Sequence, residues 1–492
     1  MNAMEAGNGQ GKGGYLLGVD FDYIFSDAFG ELGRRVAYWA GVSLCVVLLL
    51  VVLVAIARHI YDQEKAPKSG LKKKSRKGAI GIIFGRVGLG RVVYKPIEEK
   101  SHPHVIVWGG SGSGKTSALL IPTLRSWCRA GTTLCVDISG DINVNVPDPG
   151  KIVFEPENIN TTPYSPFALV DMAADGEGEK IERLQQLSYI LIPDSQQDSD
   201  VTAFYKGEGR KMLQGALVAY YTAGMDFCAI CRHILGCDYQ LLIDDVMASG
   251  NEFTALVVSG FEGVNEKTLA SVKSEVDKAV QLFGSNEKVS RSVRRPADGE
   301  QAISPATLEN KSVFMVIKDE KLEIYAPLFR LITAQTLEYI AMRRNNASPK
   351  ILLALDEFSS LCGGGGGKID ITPALRKARK KGVYICLCTQ SLSDLTLVYG
   401  EAETRAMLEN LAYKVVMSAA DYQSMKYYSE LAGERVVEKK STTTKDGTQS
   451  ETVSETREKV LHPEDFSRLG DDLILFHPGG EPLRLKKNYY FR

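Results

Sequence analysis

Residues 105–116 read VIVWGGSGSGKT, and this stretch decides the fold. Residues 105–108 are an apolar run of strand type. Residues 109–116 fit the spacing G-x-x-x-x-G-K-[ST]. Glycines let backbone N–H groups turn inward around phosphate oxygens, and a helix starting behind them adds the positive end of its dipole. That helix is expected over residues 115–128. Gly109, Gly110, Ser111, Gly112, Ser113, Gly114, Lys115 and Thr116 are therefore the candidate nucleotide-binding residues. Lys115 is placed to neutralise β/γ-phosphate charge, and the Thr116 hydroxyl to ligate Mg²⁺.

Working outward, residues 79–94 read as short strands broken by glycines, and strands are expected at 133–136 and 152–154. From 167 the apolar spacing turns helical, as over 204–221, where Met212, Leu213, Leu217 and Tyr220 share a face. Strand-like runs resume at 313–317, 351–355, 383–388 and 414–417. One α/β domain with a mainly parallel sheet, residues 79–166 and 301–492, is thus interrupted by an all-α insertion at 167–300. The five glycines at 363–367 and the polar stretch 441–456 (STTTKDGTQSETVSET) read as loops without fixed structure.

The second half of a nucleotide site follows the run 351–355. Asp356 and Glu357 stand at the carboxyl end of that strand, where open α/β sheets bind ligands. Asp356 is the candidate for the Mg²⁺ shell, and Glu357 for orienting and deprotonating the attacking water. Gln390, after the next strand, either senses the γ-phosphate or is an exposed loop amide. Between the two strands, ALRKARKKG at 374–382 carries five basic residues. One arginine there reaches a neighbouring subunit's ATP, or the run is a solvated helix face or a DNA phosphate contact.

The chain has 492 residues, about three domains at roughly 150 residues each. With 59 Lys+Arg against 60 Asp+Glu it carries a net charge of −1, which excludes a globally basic binder but not local basic patches. Nine cysteines exclude a small secreted disulfide scaffold. Cys228, Cys231, His233 and Cys237 are read as helix packing, since the usual second pair of a zinc site is missing. Residues 36–57 (VAYWAGVSLCVVLLLVVLVAIA) hold no charge and as a helix span about 33 Å, enough for a hydrocarbon core of about 30 Å. Residues 1–35 hold three basic residues and 58–77 hold eight, which puts the C-terminal side in the cytoplasm. The expected layout is a short extracytoplasmic segment 1–35, a transmembrane helix 36–57 and a basic linker 58–78. The KKKSRK run in that linker touches anionic lipid or is simply a stop-transfer flank.

Taken together, these motifs resemble the type IV secretion system coupling proteins of the VirD/TraG kind. The resemblance runs from about residue 80 to the C-terminus. It is carried by HVIVWGGSGSGKTSALLIPTL, CVDISGDI, AFYKGEGRKMLQGAL, SVFMVIKDEKLEIYAPLFRLI, LLALDEFSSL, and the stretch from ALRKARKKG through CTQSLSDLTLVYG to ENLAYKVVMS. It implies a RecA-like P-loop motor with an all-α domain, ATP and Mg²⁺ as ligands, and a membrane-anchored homo-hexamer in the bacterial inner membrane. That motor would bring DNA–relaxase complexes or effector proteins to a secretion channel. Lys115, Thr116, Asp356, Glu357 and Gln390 take the roles given above. The trans-acting arginine falls on Arg379, with Arg376 second. Ser139 replaces a usual lysine, and one span replaces the two of many members. The pentaglycine replaces a more ordered segment.

Two other functions compete. A chromosome-partitioning translocase of the FtsK type uses the same motor, but the 32 residues after Val460 are too few for a winged-helix DNA reader. A non-hydrolysing membrane receptor for secretion substrates has no need of Lys115 and Glu357. Any DNA contact is expected to be electrostatic and independent of sequence, confined to patches such as Arg376, Lys377, Arg379, Lys380 and Lys381.

Overall fold

The computed structural model describes residues 30–31, 35–36, 38–53, 70–88, 90–174, 176–195, 198–362, 367–445 and 448–492. The chain divides into two units, Met1–Ala66 and Pro67–Arg492. In the first unit residues 38–53 are helical, and their apolar side chains are exposed almost without exception. No helix among the described residues is long and apolar enough to cross a membrane. Residues 37 and 54–57 of the expected span lie outside the described residues, as do 1–29 and 58–69.

The second unit is built on a twelve-stranded sheet. Its strands are β1 (Lys72–Ser75), β2 (Gly81–Val87), β3 (Arg91–Pro96), β4 (Val105–Trp108), β5 (Gly131–Asp137), β6 (Ile152–Phe154), β7 (Val313–Val316), β8 (Lys350–Leu355), β9 (Val383–Thr389) and β10 (Tyr413–Val416). After the separate hairpin of β11 (Glu434–Lys445) and β12 (Thr448–Lys459), β13 (Asp472–Phe476) and β14 (Leu483–Lys486) complete it. The order is β1-β3-β2-β14-β13-β10-β4-β9-β8-β5-β7-β6. From β10 to β6 every neighbouring pair is parallel. From β1 to β13, and across to β10, every pair is antiparallel.

The parallel strands are apolar on both faces because both faces are covered. Ile106 and Trp108 of β4 join one core cluster, and Val105 and Val107 join the other. In β8, Leu353 and Leu355 pack with the first, and Leu352 and Ala354 with the second.

Helices fill the insertion, the longest being Asp200–Thr222 and Glu266–Ser285. The chain enters and leaves it through one short junction. Tyr164 bridges Ile303, and the Ile303 N–H donates to the Pro163 carbonyl at 2.7 Å. The helices from Ala168–Asp171 to Glu287–Ser292 lie between Tyr164 and Ile303.

Two expectations are corrected. Of residues 441–456, expected to be an unstructured loop, 441–445 and 448–456 belong to the β11–β12 hairpin, which pairs in unbroken register from Glu434–Lys459 to Lys445–Thr448. The reason lies in the residue type: Val and Thr favour extended backbone even where the composition is polar. The basic linker is not all linker, since Lys72–Ser75 pairs along β3 as an edge strand whose lysines discourage further pairing. Of the pentaglycine, residues 363–366 lie outside the described residues.

Candidate nucleotide site

The site forms at the carboxyl ends of β4, β8 and β9. After Trp108 the chain turns sharply. A Cβ on Gly109 would lie 2.4 Å from Ser113 Oγ and 2.9 Å from Met417 Cβ. Gly112 and Gly114 take φ of +72° and +97°, which side-chain-bearing residues avoid. Residues Lys115–Leu120 then start the helix with a widened π turn, continued as Ile121–Trp127. Such widened turns are common at functional sites.

β9 lies between β4 and β8, so the P-loop and the acids at the end of β8 flank the end of β9. Lys115 Nζ donates to the Gly109 carbonyl at 2.6 Å and pairs with Glu357 Oε1 at 3.0 Å. Thr116 Oγ1 donates to Asp356 Oδ2 at 3.0 Å. Gln390 Nε2 donates to Glu357 Oε2 at 3.4 Å. Glu357 has φ of +45°, a strained backbone for a residue with a side chain, and in that conformation its carboxylate reaches Lys115.

Electrostatics separate the two acids. Asp356 is buried, and its carboxyl is pushed up to about 6, chiefly by desolvation and then by the charge of Glu357. Lys115 and the Thr116 hydroxyl oppose that shift. Glu357 is more open and has the ammonium of Lys115 as its counter-ion.

The residues fit a nucleotide phosphate with Mg²⁺. Gly110 and Gly112 have nothing within 4 Å of where a Cβ would stand, leaving the loop free to receive a ligand. The buried Ser113 hydroxyl beside it has no hydrogen-bond partner. Thr116 Oγ1 and Asp356 Oδ2 are hard oxygen donors, the kind Mg²⁺ takes.

The structure thus brings together Lys115, Thr116, Asp356, Glu357 and Gln390. It does not bring Arg379 to them. Arg379 is exposed on the turn Ala378–Lys381, which leads into the amino end of β9. The site lies at the other end of that seven-residue strand, about 20 Å away.

Two neighbours escaped sequence reasoning. Ser418 Oγ accepts from the Gly110 N–H at 3.3 Å, and Tyr489 covers Gly114, its ring carbon 3.3 Å from where a Cβ would be. The Tyr490 N–H donates to the Ser117 carbonyl, and Arg125 packs on the Tyr490 ring, so the C-terminal segment docks on the P-loop helix. Only the aromatic run at 489–491 hinted at this.

Residues 57–492 match the family described as type IV secretory system conjugative DNA transfer. The chain is similar to Protein VirD4 of Agrobacterium fabrum, 24% identical over 482 residues, covering 92% of this chain and 69% of that protein. It is similar to the type IV secretion system-coupling protein VirD4 of Bartonella henselae, 22% identical, covering 79% of this chain and 63% of the relative. Among solved structures, the plasmid coupling protein TrwB in complex with ADP and Mg²⁺ has a TM-score of 0.64 at 20% identity, covering 79% of this chain and 86% of that one. TrwB in complex with the non-hydrolysable ATP analogue ADPNP has a TM-score of 0.63, also at 20% identity, covering 79% and 86%. With its P-loop, paired acids and intervening strand in that order, the chain belongs to the type IV secretory system conjugative DNA transfer family.

Proposed function

We propose that this chain is a membrane-anchored ATPase that couples DNA–relaxase or effector substrates to a type IV secretion channel and drives their transfer by ATP hydrolysis. The observation that carries the reading is the convergence of Lys115, Thr116, Asp356, Glu357 and Gln390 at one end of the sheet. The coupling proteins among its relatives, and the TrwB complexes with ADPNP and with ADP and Mg²⁺, support it.

The geometry suggests how these residues divide the work. Glu357 is held by Lys115 and Gln390. Phosphate oxygens compete for Lys115, which releases the Glu357 carboxylate to orient and deprotonate water. Thr116 and Asp356 would hold Mg²⁺, which when bound would neutralise charge on the phosphate. Gln390, touching Glu357, reports the state of that carboxylate to β9. Arg379, at the far end of β9, serves a neighbouring copy's site in a ring, for which a hexamer is the expected size. Residues 36–57 anchor the chain with the motor in the cytoplasm. The apolar, outward-facing helix at 38–53 and the basic excess at 58–77 support this.

The test is ATP hydrolysis by the full chain in detergent, with and without single- and double-stranded DNA, and with Lys115→Ala as control. DNA-stimulated turnover that Lys115→Ala abolishes is the expected result. If Glu357→Gln leaves transfer in cells unimpaired, the motor reading fails and a non-hydrolysing receptor takes its place.

A further inference from the structure

The helical insertion holds a second cluster of chemistry-bearing side chains. His233 lies in the last turn of the helix Phe227–Gly236, Cys237 is the residue that ends it, and Asp245 lies on the next helix, Tyr239–Ala248. His233 Nε2 is 2.9 Å from Asp245 Oδ2 and 3.6 Å from Cys237 Sγ. All three ligand atoms lie within 4.8 Å of one another. We propose that His233, Cys237 and Asp245 form a zinc-type metal site that ties the end of the helix Phe227–Gly236 to the helix Tyr239–Ala248.

The distances carry the proposal. Tetrahedral Zn²⁺ with ordinary Zn–N, Zn–O and Zn–S bonds separates nitrogen from oxygen by about 3.3 Å and nitrogen from sulfur by about 3.6 Å. The observed edges are 2.9 and 3.6 Å. A small rotation of the Asp245 carboxylate, whose side chain is 35% exposed, closes the third edge. One nitrogen, one thiolate and one carboxylate are a donor set that suits zinc rather than Mg²⁺ or Ca²⁺. A neutral imidazole with two anions gives a charge of −2, which one divalent ion cancels. Tyr220 supports the ligands from behind. Its hydroxyl donates to Asp245 Oδ2 at 3.4 Å, and its ring packs edge-on against His233 at 4.8 Å. Such outer partners fix ligand orientation.

A thiol–imidazole–carboxylate relay is the other chemistry these residues suggest, and the geometry speaks against it. A relay needs the thiol and the carboxylate on opposite ring nitrogens. Here both face Nε2. The neighbouring Cys228 and Cys231 take no part. They are buried in the core, and Cys228 Sγ points to the Ser290 carbonyl at 3.5 Å.

The test titrates the reduced full chain in detergent with Zn²⁺ against a chromophoric chelator, and separately with Co²⁺. One Zn²⁺ per chain and a near-ultraviolet thiolate-to-Co²⁺ band are expected. Cys237→Ser should remove the band, and His233→Ala and Asp245→Asn should each weaken Zn²⁺ binding at least tenfold. Cys128→Ser should change neither. Tyr220→Phe, which removes only the oxygen touching Asp245, should weaken binding about tenfold and guards against variants that fail to fold. Absence of the thiolate band in the unaltered chain, or its survival in Cys237→Ser, overturns the proposal.

Discussion

Two of the clusters of ionisable side chains among the described residues are built in opposite ways. In the motor, Lys115, Thr116, Asp356 and Glu357 come from a glycine loop and a strand end more than 200 positions apart, brought side by side at the carboxyl ends of parallel strands. Their donors are oxygen and ammonium, suited to phosphate and Mg²⁺. In the insertion, His233, Cys237 and Asp245 come from one helix end and the helix that follows, and the donors are nitrogen, sulfur and oxygen. The sheet assembles distant residues on a rigid edge and stores strain there, as at Glu357. The helical pair assembles near neighbours by i, i+4 spacing, without an unusual backbone. The first arrangement suits the turnover proposed for it, and the second suits holding an ion.

Variants can break that contrast. The largest expected effect is at Arg379. Arg379→Ala should lower hydrolysis by the assembled protein by at least 10³-fold. Nucleotide binding should stay unchanged, because Arg379 stands at the far end of β9 from its own site. Equal losses in binding and turnover would mean that it acts in some other way. Glu357→Gln should follow, with a loss of turnover of about 10²–10⁴-fold and retained ATP binding, read by single-turnover hydrolysis and fluorescent-nucleotide titration. Neither variant should alter zinc binding at Cys237. If one does, the two clusters are coupled and the contrast fails.

The third effect is on stability. The Asp356 carboxyl is raised on folding, so the proton it takes up stabilises the nucleotide-free fold fully below about pH 4, and that contribution is lost as pH rises through about 6. Urea unfolding should show the native chain losing about 2 kcal/mol relative to Asp356→Asn between pH 4 and 7. A flat difference would mean that the acid is not desolvated. Smallest is Gly109→Ala, whose methyl meets Ser113 Oγ and Met417 Cβ. It should cost about 1–3 kcal/mol in the same assay without moving the pH slope.

Much of the motor is legible in the sequence. β4 and β6 fall where the apolar runs place them, β8 and β9 extend theirs by one residue, and the helix after the P-loop ends one residue short of expectation. The P-loop and the Asp356–Glu357 pair announce themselves because their chemistry fixes spacing along the chain. Residues 441–456 mislead, since low complexity hides the extended preference of Val and Thr.

What the sequence alone determined was local: which segments bury both faces, where glycine must turn, and which side chains are candidates to meet phosphate. Those follow from periodicity two or 3.6 and from fixed motif spacing. The tertiary structure decided what joins distant segments. It placed β9 between β4 and β8, Ser418 and Tyr489 against the loop, and Arg379 away from it. It also set His233 Nε2 against both Cys237 and Asp245. Strand order and side-chain convergence depend on packing between segments far apart in the chain, and no local pattern encodes that.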